Sequence, residues 1–302
     1  MLFAGGCETK GCDMAEDDPE AWTPQHALAP GLHLVATPIG NLGAVSLRAL
    51  WVLRNVDRIL CEDTRVTARL LARYGIDKQL TAYHDHNADR VRPAIVEALR
   101  RGETLALVSD AGMPLVSDPG YKLVRAAIDE ALPVTAAPGA SAVLTALALS
   151  GLPPDTFLFA GFLPPRSAAR QRAIAQWAAL PATLIFFEGP SRLAAALADL
   201  AEMLGDRRAA VARELTKRHE EIRRGRLAVL AAHYRDAGGP RGEMVIVVGP
   251  PERVAMTDDA IDDRLRDLLA AHHVRDAVAL LASETGISRR ILYSRALALQ
   301  NR

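Results

Sequence analysis

The stretch Thr104 to Gly120 reads TLALVSDAGMPLVSDPG. An apolar run, Thr104 to Val108, comes first. Ser, Asp, Gly and Pro then break the pattern, and helical spacing resumes from Tyr121. This order reads as a buried strand, an elaborate loop and a helix start. In open α/β sheets, ligands bind in the crevice outside the carboxyl ends of the strands. The loop is therefore the first candidate site. Asp110 and Asp118 offer acceptors, and Gly112 and Gly120 let backbone approach a ligand closely. Pro114 and Pro119 stiffen the loop and lower its ordering cost. A plain connection needs only a few residues.

Upstream, Leu32 to Ala36 is a short buried strand that runs into TPIGN, Thr37 to Asn41. Ser46 is placed to cap a helix over Leu47 to Leu53. A second strand, Arg58 to Cys61, ends in Glu62-Asp63-Thr64-Arg65. The helix after it carries Leu70, Leu71 and Tyr74 and stops at Gly75. The polar cluster Tyr83-His84-Asp85-His86-Asn87 precedes a helix from Ala88 to Arg101. Downstream come a helix near Leu123 to Glu130, a strand at Val134 to Ala137 and the segment PGASAVLTALALSG, Pro138 to Gly151. Strands that alternate with helices predict a mostly parallel sheet covered on both faces.

A boundary falls near Gly151-Leu152-Pro153-Pro154, and a second set follows. It comprises a strand at Phe157 to Phe162, a helix at Ala168 to Leu180 and a strand at Thr183 to Phe187 ending in Glu188-Gly189-Pro190-Ser191-Arg192. Next come a helix with Leu193, Leu197, Leu200 and Leu204 on one face, a short strand at Ala209 to Ala212, the segment RELTKRHEE and a last strand at Glu243 to Val248. From Asp258 the chain turns helical and rich in arginine. Thr285-Gly286-Ile287-Ser288 sits between two helices, the outline of a helix-turn-helix. The fold class is thus α/β, with two α/β domains of mostly parallel sheets and a small C-terminal helical piece. The expected division is a disordered extension at 1–30, α/β domains at 31–151 and 152–252, and a helical appendage at 257–302.

A chain of 302 residues with half of them hydrophobic can bury two cores. Formal net charge is zero, so contacts to nucleic acid must come from local patches. Cys7, Cys12 and Cys61 are an odd count that favours a reducing, cytoplasmic setting. Cys7 and Cys12 sit on the acid-rich N-terminal segment, where incidental residues are a simpler reading than a disulfide or metal pair. No apolar stretch reaches bilayer-spanning length, and MLFAGG lacks the basic and apolar regions of a signal peptide. We therefore expect a soluble protein with no membrane contact.

The loops that follow strands share a chemistry: Pro38-Ile39-Gly40, Ser109 to Met113, Pro138 to Ser141, and Glu188-Gly189-Pro190. Gly and Pro there give close approach without mobility, which suits a flat, mostly neutral ligand. Neither GxGxxG nor GxxxxGK[ST] occurs, which disfavours ordinary dinucleotide and P-loop sites. His84 and His86 are spaced to face one ion from an extended segment, but no zinc-spaced pair joins them. A polar loop lining the pocket is preferred, and no metal is expected. Glu62 or Asp63 is placed to act as a base, with helix capping by Asp63 or Thr64 as the competing reading. Gly139-Ala140-Ser141-Ala142-Val143 lacks the second glycine of a serine-nucleophile elbow. Arg207 to Arg226 carries eight Lys or Arg against three Glu. With Arg275, Arg289, Arg290 and Arg295 it can track a phosphate backbone, or simply form solvated helix faces.

Taken in order, LVATPIGNLGAVSLRAL, CEDTRVTARLL, YHDHN, LVSDAGMPLVSDPGYKLV, APGASAVLTALALSGLP, FFEGPSRL and RELTKRHEE resemble the small-subunit ribosomal RNA methyltransferase I family. That family is a branch of the tetrapyrrole-methylase superfamily. The resemblance spans about Gly31 to Pro250 and the C-terminal helices. It implies S-adenosylmethionine as cofactor, bound in a cleft between the two α/β domains, and a homodimer. It also implies 2′-O-methylation of a cytidine ribose in the decoding region of 16S rRNA, within the small ribosomal subunit. Pro38, Ile39 and Gly40, then Asp110, Ala111, Gly112 and Met113, then Ser141 and Ala142, match the family's cofactor-side loops. Phe162, Leu163, Glu188, Leu215, Gly242 and Glu243 are the second-domain candidates. A ribose hydroxyl needs a base, for which Glu62, Asp63, His84 and Asp110 are the candidates. Arg65, Arg192, Lys217, Arg218, Arg289 and Arg290 are the candidate RNA contacts. Two other readings compete: a tetrapyrrole C-methylase, which needs no RNA-binding appendage, and a non-enzymatic RNA-binding or ribosome-assembly factor.

Overall fold

Strand β4 (Thr104–Val108) is buried at every residue and lies at the centre of the first sheet. It pairs in parallel with β1 (Gly31–Val35) on one side and β2 (Arg58–Cys61) on the other. Beyond them, β5 (Val134–Ala137) pairs with β1 and β3 (Gln79–Ala82) with β2, giving the order β3-β2-β4-β1-β5, all parallel. The computed structural model describes residues 27–252 and 257–300. Most of the expected N-terminal extension, with Cys7 and Cys12, lies outside them.

The pleat explains why β4 is apolar throughout. Ala106 and Val108 face one layer, where they pack with Val52 and Leu53 of α1 (Leu47–Asn55) and Leu71 of α2 (Thr64–Arg73). Leu105 and Leu107 face the other, with Leu99 of α3 (Ala88–Arg100) and Leu123 of α4 (Tyr121–Asp129). The caps follow the sequence reading. Ser46 Oγ accepts from Ala49 N at 3.1 Å, and Asp63 Oδ1 accepts from Arg65 N at 2.8 Å.

The second sheet has the order β6-β7-β10-β8-β9. Its strands are β6 (Phe157–Phe162), β7 (Thr183–Glu188), β8 (Arg208–Arg213), β9 (Glu221–Arg226) and β10 (Met244–Val248). Only β6 and β7 run parallel, while β7-β10, β10-β8 and β8-β9 are antiparallel. The mostly parallel expectation therefore holds for the first sheet, and the second is mixed. A short loop joins β8 to β9, and a parallel return would need a crossover of a dozen residues or more. Strand β9 reads EIRRGR, and its charge hides it. It is the sheet's edge, where charged residues discourage further pairing. Its arginines thus lie on a strand, not on the helix faces considered from sequence. Helices α6 (Ser167–Ala175), α7 (Leu193–Leu204) and α8 (Leu227–Asp236) cover the sheet.

Helix α5 (Ala142–Ser150) follows β5 in the chain but packs on the second sheet. Val143, Ala146 and Leu147 meet Ile185, Ala212 and Val245, with Ile39 of the first half in the same cluster. This shared core fixes the strand-end loops of the two halves against each other. Helices α9 (Asp258–Ala271), α10 (Val274–Thr285) and α11 (Arg289–Gln300) close on their own core of Leu265, Ala277, Leu281 and Leu292.

Candidate active site between the two sheets

The loops after β1 and β4 are joined first. Thr37 and Gly112 exchange backbone hydrogen bonds of 2.9 and 3.1 Å, and Thr37 Oγ1 donates to the Ser109 carbonyl at 3.0 Å. Gly112 has φ +82°, and a Cβ there would stand 3.3 Å from Ile39 Cγ2. Further along the loop, Leu115 and Ser117 hold φ values of 74° and 67°, which costs a residue other than glycine about 1–3 kcal/mol each. The strained turn presents Val116, Ser117 and Asp118 to a cavity of about 330 Å³.

This cavity lies between the sheets. Ile39, Asp110 to Met113, Ser141 and Ala142 line it from the first half of the chain. Phe162, Glu188, Leu215, Gly242 and Glu243 line it from the second. Pro38 and Gly40 stand on an adjacent cavity instead. Leu163 is 2% exposed and belongs to the core behind the wall, because it follows β6 on the inward side. Ser141 Oγ caps α5, accepting from Leu144 N at 3.4 Å. Asp118 and Pro190, named in the strand-end loops from sequence, line it as well, as do Val143, Phe187 and Val245, which sequence reasoning did not assign to the site. Phe187 stands inside a quoted motif, so a signal was there. Val143 and Val245 read only as core.

Glu188 is the most constrained polar group. Its side chain is fully buried, and Oε1 accepts from Gly189 N at 2.7 Å and pairs with Arg192 at 2.6 Å. Oε2 is buried with no partner among the described residues. With no exposed side-chain surface, Glu188 braces the cavity wall from behind rather than offering an oxygen to its interior. Arg192 is accordingly committed to Glu188.

The four acid–base candidates separate. Asp110 lines both cavities. Asp63, held by hydrogen bonds from Arg65, sits at about 2, and with Glu62 and His84 it lines neither cavity. Burial, then the nearby Asp110 and Asp85, pushes the Glu62 carboxyl up. Asp118 is pushed up to about 6, first by burial and then by Glu62. Asn87 folds the YHDHN segment back on itself, accepting from His84 N at 3.0 Å and donating to the Ala82 carbonyl at 2.9 Å. The segment thus lies off the cavities, contrary to the pocket-lining expectation.

The basic candidates also divide. Arg65 forms a two-bond pair with Asp63. Lys217 Nζ reaches Glu214 at 2.9 Å and Glu243 at 3.1 Å. Arg218 is exposed. Arg289 and Arg290 share a surface hollow with Arg275 and Tyr293 on the helical piece.

Two α/β halves with a cavity between them have the architecture of a methyltransferase of the tetrapyrrole-methylase type, and the family model places the chain in that class. The family model "Tetrapyrrole (Corrin/Porphyrin) Methylases" matches residues 31–231, and the model "RsmI C-terminal HTH domain" matches residues 255–300. Solved structures agree at the level of fold. A cobalt precorrin-4 methyltransferase superposes with TM-score 0.54 at 17% identity, covering 72% of this chain and 94% of that one. A uroporphyrin-III C-methyltransferase from Thermus thermophilus, complexed with S-adenyl homocysteine, gives 0.52 at 19% identity, covering 72% and 97%. Two relatives are much nearer in sequence, and both bear the name ribosomal RNA small subunit methyltransferase I. The protein of Mesorhizobium japonicum is 50% identical over 92% of this chain and 95% of its own. That of Erythrobacter litoralis is 51% identical over 90% and 96%. The chain belongs to the ribosomal RNA small subunit methyltransferase I family.

Proposed function

We propose that this chain transfers a methyl group from S-adenosylmethionine to the ribose 2′-hydroxyl of a cytidine in the decoding region of 16S rRNA. The observation that carries the cofactor assignment is the cavity between the sheets, with its apolar walls and its lining from both halves of the chain. Phe162, Phe187 and Leu215 supply surfaces for the cofactor's apolar parts, and the backbone at Gly112 and Gly242 allows close approach. When bound, S-adenosylmethionine supplies a methyl carbon on a positively charged sulfur.

The chain does the rest by alignment, exclusion of water and proton removal. Asp110 is the carboxylate placed to take the hydroxyl proton: it lines both cavities, and Glu243, which also does, is paired with Lys217 at 3.1 Å. Asp110→Asn lowers the single-turnover rate by about 10²–10⁴-fold. RNA contacts come from Arg218 and from the hollow of Arg275, Arg289, Arg290 and Tyr293, where arginine pairs with phosphate and an aromatic ring stacks on a base. The substrate is the small ribosomal subunit, and the setting is the cytoplasm. Among the described residues no helix is long and apolar enough to cross a membrane. A homodimer would cover Leu144 and Leu149, which α5 leaves 55% and 36% exposed.

The test is transfer from methyl-labelled S-adenosylmethionine to small subunits from cells lacking this modification, followed by nucleoside analysis. Label in 2′-O-methylcytidine is the expected result. Cofactor binding without transfer to the subunits overturns the reading in favour of a C-methylase or a binding-only factor.

A further inference from the structure

A second cavity of about 330 Å³ adjoins the first, and Ile39, Asp110, Ala111 and Glu243 line both. Building on the RNA-methylation reading above, we propose that this second cavity receives the target nucleotide, taken out of its stack. A ribose hydroxyl inside folded RNA cannot reach a carbon held in an interior cavity, so the nucleotide must be extruded. Its receptacle must then share a wall with the methyl donor, and this cavity does.

The second cavity has the chemistry of a nucleotide site. Leu42 and Val66, 43% and 37% exposed, line it beside Pro38 and Leu70 and offer apolar surface to a pyrimidine face. Arg69 lines it too, is exposed, and has no carboxylate partner among the described residues. A guanidinium in that state suits a flanking phosphate. Lys217 closes one side, its amine held by Glu214 and Glu243. With the nucleotide in place, Asp110 stands on the wall that its 2′-hydroxyl must approach. Asp118 lines only the cofactor side.

The geometry separates nucleotide binding from cofactor binding, and the test uses that. Leu70→Trp fills the cavity, while Arg69→Ala removes an exposed charge without disturbing the fold. Retention of unmodified small subunits is measured for the full chain without cofactor, and S-adenosylmethionine affinity by calorimetry. The expected result is a loss of subunit affinity of at least fivefold for Leu70→Trp and about three- to tenfold for Arg69→Ala, with cofactor affinity within twofold of the native chain. Unchanged subunit affinity in both variants overturns the pocket assignment. Equal loss of cofactor affinity in both also overturns it, since the cavity would then belong to the cofactor. A native chain that retains no subunits overturns instead the RNA reading on which the pocket rests.

Discussion

Single carboxylates set the character of the site. Asp118 has a carboxyl raised from 3.8 to about 6 by burial and by Glu62, with Asp110 adding to it and a Ser109 hydrogen bond opposing. Between those values the native chain holds a proton that the unfolded chain has lost. The contribution to stability is therefore full below about pH 4 and is lost as pH rises through 6. Asp118→Asn removes this loss. Denaturant unfolding should show the variant more stable by about 1 kcal/mol at pH 8, after allowing for partial exposure to solvent, and not at pH 4. Glu188 acts instead through its contacts, accepting from Gly189 N and pairing with Arg192 behind the cavity wall. Glu188→Gln keeps the shape and loses the charge-assisted bond. Calorimetry should show S-adenosylmethionine bound about 1–3 kcal/mol more weakly. At this scale the sequence was partly legible. Asp110 and Glu188 announce themselves at strand ends, in contexts where Gly and Pro thin the backbone. Whether Asp63 serves as base or cap depends on where Arg65 points, which no spacing encodes.

Loops and strands decide how the halves meet. The loop after β1 touches the loop after β8: Asn41 N donates to Thr216 Oγ1 at 3.1 Å, and a Cβ on Gly40 would stand 2.5 Å from Lys217 Cγ and 3.1 Å from the Leu215 carbonyl. Gly40 also has φ +155°. Gly40→Ala should push these loops apart and lower methyl transfer at least tenfold, with thermal unfolding showing the sheets intact. A variant as fast as the native chain would remove this contact from the account. The first sheet was readable because both faces of its strands are covered, so they appear as apolar runs. Strand β9 was not readable, since an exposed edge tolerates EIRRGR. The short β3, QLTA, also gave no signal, because it is an edge strand with no fully buried residue.

At the scale of the whole molecule, three bodies divide the labour. The two sheets hold a cavity between them, and α9 to α11 form a separate apolar core behind an arginine-bearing surface. Removing 257–302 should leave S-adenosylmethionine affinity within twofold and weaken subunit binding at least tenfold. Equal loss of both would show that the helices support the catalytic body instead. The order of strands and helices made this division legible, and the quoted motifs made the family legible. The packing of α5 across the boundary was not, because a helix apolar on nearly every side does not say which sheet it will cover. The measurement that bears most directly on the central claim is a nucleotide-resolution map of ribose methylation in 16S rRNA, from cells with and without this chain. The account predicts that one cytidine in the decoding region loses its 2′-O-methyl group in the absence of the chain and regains it when the purified protein and S-adenosylmethionine are added to the subunits. Identical maps in both cells would contradict it.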